Sequence, residues 1–148
     1  MSTFGAERGR DEVILVARLL LTLLFLVYGW GKLMDYGGAA AYMAQVGAPM
    51  PAIAALLAIT VEIFVALAIA VGLFTRPLVL LLAAYTLVTG LIGHPFWMSD
   101  GASRYMDAIN FYKNISIMGG CLLLYVTGPG RHSLDAKLRW HTARTAFN

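Results

Sequence analysis

Charge is what this 148-residue sequence has least of. Asp, Glu, Lys and Arg together make up 13% of it, against 59% hydrophobic residues. A soluble domain of this size cannot cover its surface with so few charges, so the composition and a mean hydropathy of +0.73 place the chain in a bilayer. Cysteine is the next scarcity. Cys121 is the single one, which excludes an intrachain disulfide and any thiol–disulfide mechanism within the chain. Inside an apolar run it reads as a small packing residue. No apolar run alternates with polar residues, which excludes the strands of a membrane barrel. There is no Gly-rich phosphate loop, no nucleophile elbow and no pair of catalytic carboxylates. His94 has no second His, Cys or carboxylate at ligand spacing, so no metal or haem site is expected. The net charge of +3 would direct a soluble protein towards nucleic acid; here the cations have topology to explain, and no nucleic-acid partner is expected.

What the sequence does have is long apolar runs. A helical span takes ~20 mostly apolar residues, and stretches at about 13–31, 52–74, 77–93 and 110–127 qualify. A helix also satisfies its own backbone groups, as the bilayer demands. The expected fold is all-α: a polytopic, four-transmembrane-helix bundle over residues 13–130, preceded by a short segment, 1–12, and followed by a basic tail, 131–148. The first run is longer than a signal-peptide core, and Asp11 and Glu12 interrupt its positive flank, so it is expected to be retained as a span.

Lysine and arginine in the short loops set the orientation. Arg8, Arg10, Arg76, Arg131, Lys137, Arg139 and Arg144 fall on one side; Lys32, Arg104 and Lys113 fall on the other. The imbalance is expected to put both termini and the short Arg76 turn in the cytoplasm. The tail either lies against anionic lipid heads as a short surface helix or simply obeys the positive-inside rule. "GLFTRP" reads as a compact turn, with Gly72 closing one helix and Pro77 in the first turn of the next. The stretch from Gly38 to Val46 suits a short interfacial helix ended by Gly47 and Pro49, and Phe96, Trp97 and Tyr105 suit the headgroup boundary.

Each span carries a face of small or polar residues, and these faces are expected to meet inside the bundle. They are Arg18, Thr22, Phe25, Gly29 and Lys32 in the first; Ala54, Ala58, Glu62, Ala66 and Ala70 in the second; Thr86, Thr89, Gly90 and Gly93 in the third, leading to His94; and Lys113, Ser116 and Gly120 in the fourth, with Asn114 and Cys121 adjacent. For the alanines and glycines, packing is the whole reading. Glu62 is different. At 1.5 Å per residue it lies ~15 Å deep, while Arg18 lies ~8 Å above the cytoplasmic end. An ionised group at the midplane costs ~2.5–3.5 kcal/mol even on the gentler insertion scale, so it should be paired or protonated. Arg18 is expected to reach up towards it, with Lys113 and His94 approaching from outside. Three readings stand open: an ion pair that fixes helix register, a site for a ligand, quinone head or proton, and an unpaired protonated glutamate.

The segments "RLLLTLLFLVYGWGKL", "VEIFVALAIAVGLFTRP", "GHPFW" and "FYKNISIMGGCLLLYVTGPGRHSLD", in that order, resemble the DoxX family of small bacterial and archaeal membrane proteins. The resemblance runs from about Val13 to Asp135, and the residues that match the family pattern are Arg18, Gly29, Lys32, Glu62, Gly72, Thr75, Arg76, His94, Lys113, Asn114, Gly128, Pro129, Gly130 and Asp135. It implies a four-helix inner-membrane protein. It also implies association with quinol oxidase and thiosulfate:quinone oxidoreductase systems, or with proteins of oxidative stress and thiol metabolism.

Together these observations give candidate site residues Glu62, Arg18, His94, Lys113, Asn114 and Lys32, and no metal site. The leading expectation is a quinone-linked accessory subunit that takes electrons from a soluble or membrane redox partner, and is therefore an enzyme only as part of a quinone-dependent oxidoreductase. A membrane scaffold that recruits a soluble enzyme through the basic tail is the second reading, and a small-solute carrier the third. Homo-oligomerisation is left open.

Overall fold

The computed structural model of the chain describes residues 4–138, so most of the basic tail, including Arg139, His141 and Arg144, lies outside the described residues. Helix follows helix, and no strand occurs among the described residues. The elements are α1 (Phe4–Met34), α2 (Tyr36–Gln45), α3 (Pro51–Val71), α4 (Thr75–Gly93) and α5 (Gly101–Thr127). α1, α3, α4 and α5 are antiparallel neighbours in chain order. They leave a terminal end, carrying the α3–α4 turn and residues 128–138, and a loop end, carrying α2 and the α4–α5 connection.

Gly9–Met34 within α1, α3 and α4 are long and apolar enough to cross a membrane. α5 differs. It has 27 residues, nine residues' worth of helix starting ahead of the expected 110, and Arg104, Asp107, Asn110, Lys113 and Asn114 crowd its first half. Its uncharged part, from Ile115 to Val126 and including Ser116, spans only ~18 Å at helical rise.

Each of these four helices turns large apolar side chains outward: Leu20, Leu23 and Val27 on α1, Phe64 and Leu67 on α3, Val88 on α4, Leu123 and Val126 on α5. In water such a surface would be an aggregation hazard; in lipid it is the solvent-matched face. The core between the helices is small, built from Ile14, Phe25, Ala66, Ile69, Val79, Leu82, Ala83, Cys121 and Leu124. Cys121 is a buried member of it. α1 packs along the length of α3, and α4 packs along α5. α2, capped by the Asp35 carboxylate on the Gly38 N–H at 2.9 Å, folds back over the start of α3.

The α3–α4 turn fixes the terminal end. Gly72 adopts φ +76°, and the Leu73 N–H donates to the Ala68 carbonyl at 2.8 Å while the Gly72 N–H donates to Ile69 at 3.0 Å. This Schellman closure ends α3 at Val71, three residues before the expected 74. α4 then starts at Thr75, two residues before the expected 77, because a carboxylate from far along the chain caps it. Asp135 Oδ1 accepts from the Phe74 N–H at 2.8 Å, and Oδ2 accepts from the Thr75 N–H at 3.0 Å. A cap of this kind is worth ~0.5–2 kcal/mol. Asp135→Ala should therefore lower the thermal midpoint of the detergent-solubilised protein, at a cost of about 1–2 kcal/mol. An unchanged midpoint would show that the cap does not hold the end of the bundle.

Candidate functional site

Glu62 lies in a π-helical stretch, Thr60–Val65, within α3. One extra residue in that turn rotates the side chains on either side of it by ~100° relative to an unbroken α-helix, and such segments are frequent at functional sites. The rotation aims Glu62 at α1 and α4. There Lys32 Nζ donates to Oε2 at 2.6 Å and the Tyr85 hydroxyl donates to Oε1 at 2.6 Å. Each carboxylate oxygen thus has its own donor, from a different helix. The Glu62 side chain is 9% exposed and that of Lys32 22%, and Lys32 Nζ also lies 5.9 Å from the Tyr28 ring centroid. Gly29, one turn before Lys32, lets the two backbones approach: a Cβ there would fall 2.7 Å from Glu62 Cβ and 3.0 Å from Ile63 Cγ1.

Arg18 is not the partner of Glu62. It is 1% exposed at the terminal end, where Nε donates to the Ala70 carbonyl at 3.0 Å, Nη2 to that of His132 at 2.7 Å, and Nη1 to that of Pro129. The physical reason is reach. The α1–α3 contact sets Gly29, not Arg18, level with Glu62, so Arg18 lies ~16 Å lower along α1. Phe25 is packed in between.

His94 and Lys113 do not join the cluster either. His94 ends α4 at the loop end, with Nδ1 3.5 Å from Asp107 Oδ1, while Ser99 donates to Asp107 Oδ2 at 2.6 Å. Burial raises the titration of the Tyr42 phenol in α2, and the negative charge of Asp107 raises it further. Phe96 packs here against Trp97 at 5.2 Å, Phe111 at 5.5 Å and Tyr112 at 5.8 Å between centroids. Lys113 is exposed and donates to Asn110 Oδ1 at 2.8 Å. Its neighbour Asn114 is the residue turned inward, donating to the Thr86 carbonyl at 3.4 Å beside Gly90. One residue is ~100° around a helix, so the α5 face that meets α4 is that of Phe111, Asn114, Cys121 and Leu124 rather than that of Lys113 and Ser116.

Tyr85 is the member that the sequence reading passed over. The polar face read for α4 was that of Thr86, one position away. The available signal was a phenol midway along an aliphatic span, where its hydroxyl must find an acceptor.

Fold and site define an all-helical integral membrane protein with an internal ionisable cluster. The DoxX family model matches residues 13–95, which run through Arg18, Lys32, Glu62, Tyr85 and His94, and the chain belongs to the DoxX family. It is 46% identical over 134 residues to the inner membrane protein YphA of Escherichia coli (strain K12), covering 90% of this chain and 94% of that one. It is 39% identical over 134 residues to the inner membrane protein YqjF of the same strain, covering 86% and 93%. A Surfeit locus protein 4 homolog of Schizosaccharomyces pombe is 34% identical over 84 residues, or 26% of its length. No solved structure matches the chain. With its apolar spans, this makes it a multi-pass protein of the inner membrane.

If Lys32 and Glu62 compensate each other, removing one strands the other in a low-dielectric layer, which costs ~3–5 kcal/mol for a buried pair. A double-mutant cycle of Lys32→Met and Glu62→Gln in detergent should return a coupling of about 1–3 kcal/mol. The same cycle with Arg18→Met should be additive. Coupling of Glu62 to Arg18 and not to Lys32 would refute this geometry.

Proposed function

We propose that the chain is the membrane subunit of a quinone-linked redox system, in which Lys32, Glu62 and Tyr85 receive the head group of a quinone and handle its proton. The observation that carries this reading is a carboxylate buried at membrane depth with both oxygens taken by acid–base groups, an ammonium and a phenol, each at 2.6 Å. The donor set fits such a ligand. An ammonium has three N–H bonds and commits one to Glu62, so Lys32 has donors left for a carbonyl. Tyr85 keeps its hold on Oε1, leaving Oε2, beside Lys32, as the position at which a proton is held or passed. The aliphatic surface beside Lys32 suits a lipophilic tail. A bound quinone supplies the two-electron, two-proton couple, and the electrons come from a redox partner, soluble or in the membrane.

The reading includes a topology: α5 is the fourth span and both termini are cytoplasmic. α5 follows α4 from the Gly90–Asn114 contact to the packing of Arg76 over Gly128, so it shares α4's path through the bilayer. Arg10, Arg76, Arg131 and Lys137 gather at the terminal end, with Arg104 and Lys113 at the other.

A short-chain quinone analogue should bind the purified protein with a spectral shift or a calorimetric signal. Glu62→Gln and Lys32→Met should each weaken binding by about tenfold or more, the worth of one charge-assisted hydrogen bond. Lys113→Met and His94→Ala should leave it near wild type, because their own partners are Asn110 and Asp107 rather than Glu62. Equal, negligible binding by wild type and Glu62→Gln would defeat the proposal. For topology, in a Cys121→Ala background, Lys137→Cys should label with an impermeant thiol reagent only from the cytoplasmic side and Arg104→Cys only from outside. Labelling of Lys137→Cys on intact cells would reverse it.

A further inference from the structure

The two ends of the bundle are built differently. At the loop end, the polar edge of the Lys32–Glu62–Tyr85 cluster is open, since the Lys32 side chain keeps 22% of its surface. At the terminal end, residues 128–135 double back across α1, α3 and α4. Pro129 and His132 lay their carbonyls on the Arg18 guanidinium. Ser133, 3% exposed, sits over Gly72. A Cβ on Gly72 would collide with Ser133 and come within 2.6 Å of Arg18 Nη1. Asp135 binds the first two N–H groups at the start of α4, and the Arg131 N–H and guanidinium meet Asp11 at 3.0 Å and Glu12 at 2.7 Å on α1.

We infer that the Lys32–Glu62–Tyr85 site is served from the loop end alone, and that residues 128–135 are a latch, held on Arg18, that closes the terminal end. The inference rests on the reading of that cluster as the working site. What holds the latch is Arg18 itself. Its guanidinium is almost fully buried, and the groups hydrogen-bonded to it are carbonyls, two of the three supplied by the latch. Withdrawing residues 128–135 strands a cation unless water replaces those carbonyls, so release of the latch and entry of water are one event. Above Arg18, Phe25, Ile69, Leu82 and Cys121 form an apolar layer, each 7% exposed or less. Together, latch and layer put the proton and head-group traffic of Glu62 on the loop side.

The test is cysteine accessibility in the full chain, in a Cys121→Ala background, using a small impermeant methanethiosulfonate on right-side-out and inverted vesicles. Glu62→Cys and, as a second reporter, Lys32→Cys should react about tenfold or more faster from the loop side. Thr22→Cys, one turn inside Arg18, should resist reagent from both sides. It should become reactive from the terminal side when Arg18→Met is added, and also with Asp135→Ala, which frees the other end of the latch should Arg18→Met fail to fold. Equal reaction of Glu62→Cys and Lys32→Cys from the two sides, or protection of Thr22→Cys in both latch variants, overturns the inference. Quinone-analogue binding is measured on vesicles of the Cys121→Ala parent, which keeps Glu62, Lys32 and Tyr85. One-sided labelling without binding defeats the quinone reading and leaves the latch; two-sided labelling with binding intact defeats the latch and leaves the quinone reading.

Discussion

A carboxylate in hydrocarbon must find its own solvation within the protein, and the contact between Glu62 and Lys32 is the constraint to which the loop half of this bundle is fitted. The side chains meet only if α1 and α3 come close, and they come close only because position 29 has no side chain. The carboxylate points the right way because α3 takes a π turn at Thr60–Val65. The second oxygen is satisfied only because α4 brings Tyr85 within 2.6 Å. Each of these features is unfavourable or neutral by itself: a glycine in a helix, a non-α turn, a phenol among aliphatics. They become intelligible as the conditions for one buried pair.

The terminal end solves the same problem with different chemistry. Arg18 is as buried as Glu62, yet it is compensated by main-chain carbonyls rather than by a carboxylate. Asp135, the acid that feels its charge, spends its oxygens on the N–H groups at the start of α4. Carbonyl dipoles compensate a planar guanidinium well because they can be set around its fork in separate directions. They also carry no proton to exchange. The two buried charges therefore have opposite characters: one is hydrogen-bonded to groups that titrate, the other to carbonyls that do not, and acid–base work needs partners of the first kind.

The helical architecture and three of the four expected apolar spans were legible in the sequence, because length and hydropathy act locally and the bilayer leaves a helix little choice. So was the interior position of Glu62, which follows from cost alone. Its partner was not. Arg18, Lys113 and His94 were expected to approach it, while Lys32, which does pair with it, was read as part of the Arg18 face; choosing among them needs the vertical register of α1 on α3. That register is set by the Gly29 contact, which a one-dimensional pattern does not display. The π turn was invisible for a related reason: a single extra residue shifts every face after it by one position, and faces drawn at strict α spacing miss it. Two helix faces were read one residue short: Lys113 was taken as an inward group although its neighbour Asn114 is the one turned in, and Tyr85 was missed beside the buried Thr86 although its hydroxyl reaches Glu62. The Asp135 cap links residues some sixty positions apart, and no local signal announces it.

The separation of the two polar ends bears on what kind of membrane protein this is. A carrier that alternates access needs its central site to meet each side in turn, with polar groups or small residues lining both approaches. Here the approach from Arg18 to Glu62 is filled by Phe25, Ile69, Leu82 and Cys121 with Ala66 and Ala83 among them, and its buried hydroxyl, Thr22, is bonded back to the Arg18 carbonyl; in such close packing moving one group means moving its neighbours. A site that binds a lipophilic ligand needs no second approach, since its ligand arrives within the membrane and only the proton needs a polar edge. The exposed flank of Lys32, next to aliphatic surface on one side and the Glu62 carboxylate on the other, provides that edge at the loop end. On the proposed reading, the packed approach from Arg18 and the exposed edge at Lys32 are what a head-group site needs and a solute carrier does not.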